Sequence, residues 1–148
     1  MRETTPHRYK AGAKQVIPAD MVVVHWTASP RGDGKDGTNE ARIRRWARGE
    51  TRVSSTHFVI LRDGRLLQTC PLTDRPWHAK GSAWETPEGR TVLNINNRAI
   101  AVDLECVGPL TKGPAGKLQD SYGGGFGGPA ELCGGRWWEA YTDAQVKT

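Results

Sequence analysis

The stretch that most limits what this chain can become is Met21 to Val24, MVVV, a short continuous apolar run rich in β-branched valine, with His25 and Trp26 following at its carboxyl end. Such a run reads as a strand buried on both faces in the middle of a sheet. Open α/β sheets bind ligands in the crevice beyond the carboxyl ends of their strands, so His25 arrives where chemistry is done. The Gly-rich segment SPRGDGKDG follows, after which Thr38 is placed to cap a helix through ARIRRWARG. Ile43, Trp46 and Ala47 hold the i, i+3, i+4 spacing of a buried helix face, and Gly49 stands where helices commonly stop.

Farther along, His57 to Leu61 reads as a strand, Asp63-Gly64 as a hairpin turn and Leu66 to Thr69 as the returning strand. The loop segment PLTDRPWHAKGSAW separates this hairpin from Ala99 to Cys106, where Ile100, Val102 and Leu104 alternate with Ala101, Asp103 and Glu105. One face of that strand packs. The other carries two acids beside a small alanine, which suits either a ligand face or an ordinary solvent face. Residues 108–135 are dominated by glycine and proline around SYGGGFGGP, with no apolar period, and read as a long flexible excursion on which Tyr122 and Phe126 are available to stack on sugars. Thr142 to Gln145 is a capping box, and Tyr141 with Val146 has the spacing of a hydrophobic staple. A well-marked helix start followed by only a few residues reads as a chain cut short; a single docked terminal turn is the alternative.

A chain of 148 residues supports one compact core. We divide it into an N-terminal extension, 1–20, and one domain, 21–148, which carries the Gly-rich stretch 108–135. The 21 basic and 16 acidic residues leave a net charge of +5, a surface that attracts polyanions. The basic residues are scattered and do not interleave with aromatics, which argues against a nucleic-acid groove. Cys70, Cys106 and Cys133 form no C-x-x-C pair and read as small, buried, reduced residues. The N-terminus has no apolar stretch behind its positive charge, and no segment has the length to span a bilayer, so the chain is expected to be made in the cytoplasm without a signal peptide and without a membrane anchor. Nothing in the residues sets an oligomeric state.

Five segments in order, VVVHWTAS, STHFVILRDGRLLQ, PWHAKGSAW, NNRAIAVDLE and the WEAYTDAQ lead-in to a helix, resemble the phage-type and recycling N-acetylmuramoyl-L-alanine amidases, a family related to the animal peptidoglycan recognition proteins. The resemblance implies an α/β domain with a mixed central β-sheet flanked by helices, its last helix cut short. It also implies Zn2+ in a groove that binds the glycan-peptide junction of peptidoglycan. Carried over residue by residue, it makes His25 a zinc ligand. Neutral imidazole holds zinc at about 2.0–2.1 Å, and a catalytic zinc keeps three protein ligands and one open position. Such a metal lowers the pKa of bound water to ~7 and polarises the amide carbonyl.

The family's other two ligands, a histidine and an acid or cysteine, lie beyond the helix that starts after Thr142, where this sequence has no residues. Two readings follow: a fragment of an active enzyme, or a module that binds without cutting. The family's general base is a tyrosine before the second-strand histidine or a glutamate on the later strand, and these positions hold Thr56 and Asp103. Asp103 keeps a carboxylate, shorter than glutamate by about 1.5 Å, and is the expected base, with Glu105 able to substitute from the same face. His78, in the W-H-A segment, is expected to line the groove and hydrogen-bond the substrate or the oxyanion. His57 is expected to pack near the site. His25, His57 and His78 would satisfy a three-histidine count, although the family pattern argues against it. Asn96 and Asn97 shape the groove or simply make a turn. The expected activity is zinc-dependent hydrolysis of the N-acetylmuramoyl to L-alanine amide, acting on the wall after release, in phage-lysis fashion, or on wall fragments in the cytoplasm. The alternatives are a non-catalytic peptidoglycan-binding module and, on charge alone, a nucleic-acid or regulatory protein.

Overall fold

The computed structural model describes residues 19–32, 37–47 and 54–148. In chain order the elements are β1 (Met21–Trp26), α1 (Glu40–Ala47), β2 (Phe58–Ile60), β3 (Leu66–Gln68), β4 (Trp84–Glu85), β5 (Thr91–Val92), β6 (Ala99–Leu104), β7 (Pro109–Lys112), β8 (Leu118–Gln119), β9 (Ala130–Cys133), β10 (Arg136–Glu139) and α2 (Asp143–Val146). The central sheet has the order β1-β6-β2-β3. Its first three strands are parallel and β3 returns antiparallel, the mixed α/β sheet the sequence implied.

One face of this sheet makes the core. Ile43 and Trp46 of α1 pack on Val59, Leu61 and Leu67, and Ala79, Ile95 and Ala99 form a second cluster with Met21, Val23 and Val92. Burying side chains such as Ile43, Val59 and Leu61 contributes about 1.5–3 kcal/mol each. The first intrahelical bond of α1 runs from Ile43 N–H to Asn39 C=O, so the helix starts one residue later than a Thr38 cap would set it. Gly49 and the Ala47 side chain lie outside the described residues.

Two strand expectations are corrected. Among the described residues β1 is an outer strand of the sheet, and its alternate residues Val22 and Val24 are 62% and 59% exposed. A valine run reports strand formation but not the number of neighbours, and here only one face is covered. On β6 the acid-bearing face is the buried one: Ala99, Ala101, Asp103 and Glu105 are all buried, while Ile100, Val102 and Leu104 are only half-buried. The small alanines let the covering segments approach, and the acids remain because partners meet them there.

The Gly-rich stretch is not an excursion but a second antiparallel sheet, β8-β7-β10-β9. Cys133 pairs with Arg136 around Gly134-Gly135, whose φ of 57° and 75° are the two positive angles of a two-residue I′ hairpin. Tyr122 leaves this sheet to donate its hydroxyl to the Ala28 carbonyl, and the Arg42 guanidinium lies 5.3 Å from its ring centroid. Trp138 meets Trp26 edge-on at 5.6 Å. Cys70 and Cys106 are buried, but Cys133 is exposed at the end of β9.

The capping box at Thr142 forms, with Thr142 Oγ1 accepting from Gln145 N–H and Gln145 Oε1 accepting from Thr142 N–H. The single turn of α2 is docked by Gln145, whose amide donates to the Ile60 and Glu105 carbonyls at the ends of β2 and β6. The expected staple does not close, since Val146 is 75% exposed. Among the described residues no helix is long and apolar enough to cross a membrane.

Candidate active site

Parallel pairing places His25 opposite Asp103 in the β1–β6 register, at the carboxyl ends of the two strands and on the covered face. Adjacent strands lie about 4.8 Å apart, so the two side chains leave neighbouring backbone positions on the same face. His78 descends onto this pair from the loop before β4. Its Nδ1 is 3.2 Å from His25 Nε2, and the rings meet at a 66° interplanar angle. One of the two nitrogens carries the shared proton.

His78 is aimed by Asn96. The Asn96 side chain is buried, and its Oδ1 accepts both the His78 N–H at 3.1 Å and the Ala79 N–H at 2.8 Å. This residue was read in the sequence as groove-shaping or a plain turn; it is a positioning group within the 3-10 turn Ile95–Asn97. Burial, with His25 and His57 nearby, pushes the His78 pKa down to about 4, and burial alone lowers that of His25. Both rings are therefore neutral near pH 7, the form in which imidazole offers one lone pair and one N–H. His78 Nε2 is buried with no hydrogen-bond partner among the described residues.

His57 has no such freedom. It is fully buried, its Nδ1 accepts the Ala101 N–H at 3.0 Å, and its Nε2 lies 3.1 Å from the Asp74 carbonyl, to which it donates. Both nitrogens are committed, which removes the three-histidine arrangement. Burial lowers its pKa against the opposing pull of Asp74.

Glu105 is corrected more sharply. It shares the face of Asp103 but is fully buried, and it accepts from the Asn39 N–H, the Arg62 N–H at 3.1 Å and Arg62 Nη1 at 2.9 Å. Burial pushes its carboxyl up, while Asn39 and Arg62 pull it back. With these partners and no exposure it cannot reach a substrate as a proton acceptor. Arg62 and Glu139, both missed in the sequence, complete this structure. Arg62 donates to Glu139 at 2.8 and 2.9 Å and to the Ser29 and Gly37 carbonyls, and Glu139 also accepts from Arg31 and from the Val107 N–H. No periodicity marks an arginine at a strand end as buried, and Glu139 sits in a segment whose strands were not foreseen. Thr56, in the position of the family's tyrosine, is buried with its hydroxyl directed at the Phe58 carbonyl.

Tyr141 lies near Cys106 and Asp103. Burial, with Cys106, Glu139 and Asp103 around it, pushes the phenol up to about 12, and burial beside Glu139 pushes the thiol up to about 11. Both are neutral hydrogen-bonding groups rather than bases.

Among the described residues no three His, Cys, Asp or Glu side chains converge into a set that could hold a metal ion. His25 offers one imidazole and His57 offers none, so the donors present do not fit a complete zinc site. What the arrangement brings together is a pair of neutral imidazoles, His25 and His78, at the end of β1, with Asp103 at the paired position of β6.

Comparison with known proteins agrees with the sequence pattern. The fold resembles that of the N-acetylmuramyl-L-alanine amidase AmiD from E. coli, solved in complex with anhydro-N-acetylmuramic acid-L-Ala-D-gamma-Glu-L-Lys, with a TM-score of 0.53 and 18% identity over 93% of this chain and 43% of that one. It resembles AmpDh3 from Pseudomonas aeruginosa with a TM-score of 0.50 and 15% identity, over 95% of this chain and 46% of the other. The chain thus spans less than half the length of either, and at these identities the likeness is one of fold. No curated protein matches the chain. The model of the family described as N-acetylmuramoyl-L-alanine amidase matches residues 15–148, nearly the whole sequence, and the chain belongs to that family.

Proposed function

We propose that this domain hydrolyses the amide between N-acetylmuramic acid and L-alanine in peptidoglycan. The observation that carries the reading is the juxtaposition of His25 and Asp103 at adjacent parallel strand ends, with His78 held against His25. Asp103 takes the proton from the attacking water, a role that requires a carboxylate within about 3 Å of it. In the tautomer where His25 Nε2–H donates to His78 Nδ1, the remaining proton of His78 sits on Nε2, which is buried and has no partner among the described residues. The same tautomer leaves the His25 Nδ1 lone pair free, and zinc would take it as one ligand, supplying carbonyl polarisation and a more acidic water. The described residues do not complete a set of three donors. Substrate would be met in the wall after release of the protein, or as wall fragments in the cytoplasm.

The test is incubation with purified peptidoglycan, with and without added zinc, counting newly freed alanine amino groups. Release by the wild-type chain that disappears in Asp103→Asn is the expected result, and equal release by Asp103→Asn removes that residue from the reaction. The incomplete donor set favours one second reading, a module that binds peptidoglycan without cutting it. Sedimentation with the wall and no amine release would establish that reading instead.

A further inference from the structure

Residues 75–79 are fixed more firmly than a surface loop requires. Pro76 and Ala79 are buried at either side of Trp77. The Trp77 N–H donates to Ser55 Oγ at 2.8 Å, and its carbonyl accepts the Ser55 N–H at 2.8 Å. One residue on, Asn96 holds the His78 and Ala79 N–H groups. Despite this pinned backbone the Trp77 side chain is 44% exposed. The Arg75 guanidinium lies 5.0 Å from its ring centroid, and Arg75 Nη1 is itself held by Asn97 Oδ1 at 2.8 Å. The indole is therefore preorganised, with a cation against the ring and much of its remaining surface in water.

The rigidity of an exposed ring lowers the ordering cost of binding a ligand against it. The position is specific too, because Trp77 directly precedes His78, whose imidazole meets His25. An amide joining a glycan to a peptide that begins with alanine has its ring faces on the sugar side. The C–H-rich face of a pyranose complements the electron-rich face of an indole.

We propose that Trp77 is a stacking platform for a pyranose ring of the glycan strand, docking the sugar side of the junction beside His78. The choice of ligand rests on the amidase reading above. Trp77 then determines preference for substrates that carry glycan, and takes no part in the bond-breaking step.

The test uses a peptide-free sugar, so its outcome does not depend on amide cleavage. The 148-residue chain is titrated calorimetrically with the tetramer of N-acetylglucosamine. Wild type is expected to bind saturably. Trp77→Ala should bind about tenfold more weakly, the effect of losing one ring contact, and Trp77→Phe, which keeps a ring, should fall between the two. Trp84→Ala, which removes another exposed indole (49%) from β4, should bind as wild type. Absence of saturable binding by wild type overturns the proposal, as does undiminished binding by Trp77→Ala or an equal loss in Trp84→Ala. Peptidoglycan cleavage that persists while sugar binding fails would sink the platform and leave the amidase reading intact. Sugar binding lost in Trp77→Ala without cleavage by wild type would do the reverse.

Discussion

Replacing Arg62 with methionine should destabilise the domain by about 3–5 kcal/mol, the usual effect of removing one partner from a buried ion pair. The structure sets where in that range the effect falls. The Arg62 and Glu105 side chains are only 1% and 0% exposed, so water cannot take over. Glu139 keeps compensation from Arg31 at 2.8 Å and from the Val107 N–H, but Glu105 is left with two backbone N–H groups and no cation. The carbonyls of Ser29 and Gly37 lose their guanidinium donors as well. Against a total stability on the order of 5–15 kcal/mol for a domain, a loss of this size lowers the urea midpoint markedly with little change in slope. Adding Glu105→Gln to Arg62→Met removes the stranded charge and should restore about 1–3 kcal/mol of that loss. Arg62→Lys should rescue little, because an ammonium cannot span both carboxylates and two carbonyls as a planar fork does. A loss below about 1 kcal/mol in Arg62→Met would refute the premise that this charge is essential to Glu105.

Asp103→Asn should lower amine release from peptidoglycan roughly 10²- to 10⁴-fold, the contribution of a general base, while binding of the N-acetylglucosamine tetramer stays unchanged in the same preparation. Asn96→Ala strands the His78 and Ala79 N–H groups and should cost about 1–3 kcal/mol in urea denaturation; Asn96→Asp, which retains an acceptor, should recover part of it. Cys106 gives a pH dependence of defined sign. Its pKa rises from 9.0 to about 11 on folding, so above pH 9 the unfolded chain binds fewer protons than the folded one and stability falls as pH rises. The loss approaches roughly 3 kcal/mol once pH passes 11, with Tyr141 adding in the same direction at still higher pH. Urea midpoints at pH 8 and pH 10.5 should converge in Cys106→Ala, and an unchanged pH slope in that variant would assign the loss elsewhere.

Much of the central sheet was legible because its signals are local. A valine run, an Asp-Gly turn and a two-residue alternation need no knowledge of the rest of the chain, and β1, the β2–β3 hairpin and β6 stand where those signals put them. Their surroundings were not legible. That β1 lies at the edge, or that the acid face of β6 is the covered one, depends on which segments return over the sheet. The Gly-rich stretch misled for a different reason. Glycine signals both mobility and the positive φ of a tight hairpin, and Gly134-Gly135 is the second case. The strands it joins are too short and too mixed to show a period. At the site, the resemblance to a known family singled out His25, His78 and Asp103, and the fold brings those three together. Asn96 and Arg62 could not be ranked from sequence, since an asparagine in a turn and an arginine beside an Asp-Gly pair usually face water.

Asp103 and Glu105 show how much the surroundings decide. The two acids are spaced two residues apart on one strand face, and sequence alone makes them near-equivalent candidates for proton transfer. The register sets Asp103 beside His25, at the point where His78 presents a buried, unpartnered nitrogen. One step farther, Glu105 meets Arg62 and the Asn39 N–H and becomes a structural counter-ion. The same guanidinium also grips the Ser29 carbonyl, four residues after His25, and Glu139 at the end of the inserted sheet. Catalytic groups must stay within a fraction of an ångström of their working geometry. A buried arginine that ties the segment after His25 to the strand bearing Asp103 supplies that constraint. In the proposed reaction Glu105 thus serves Asp103 indirectly, by holding the two strand ends in register.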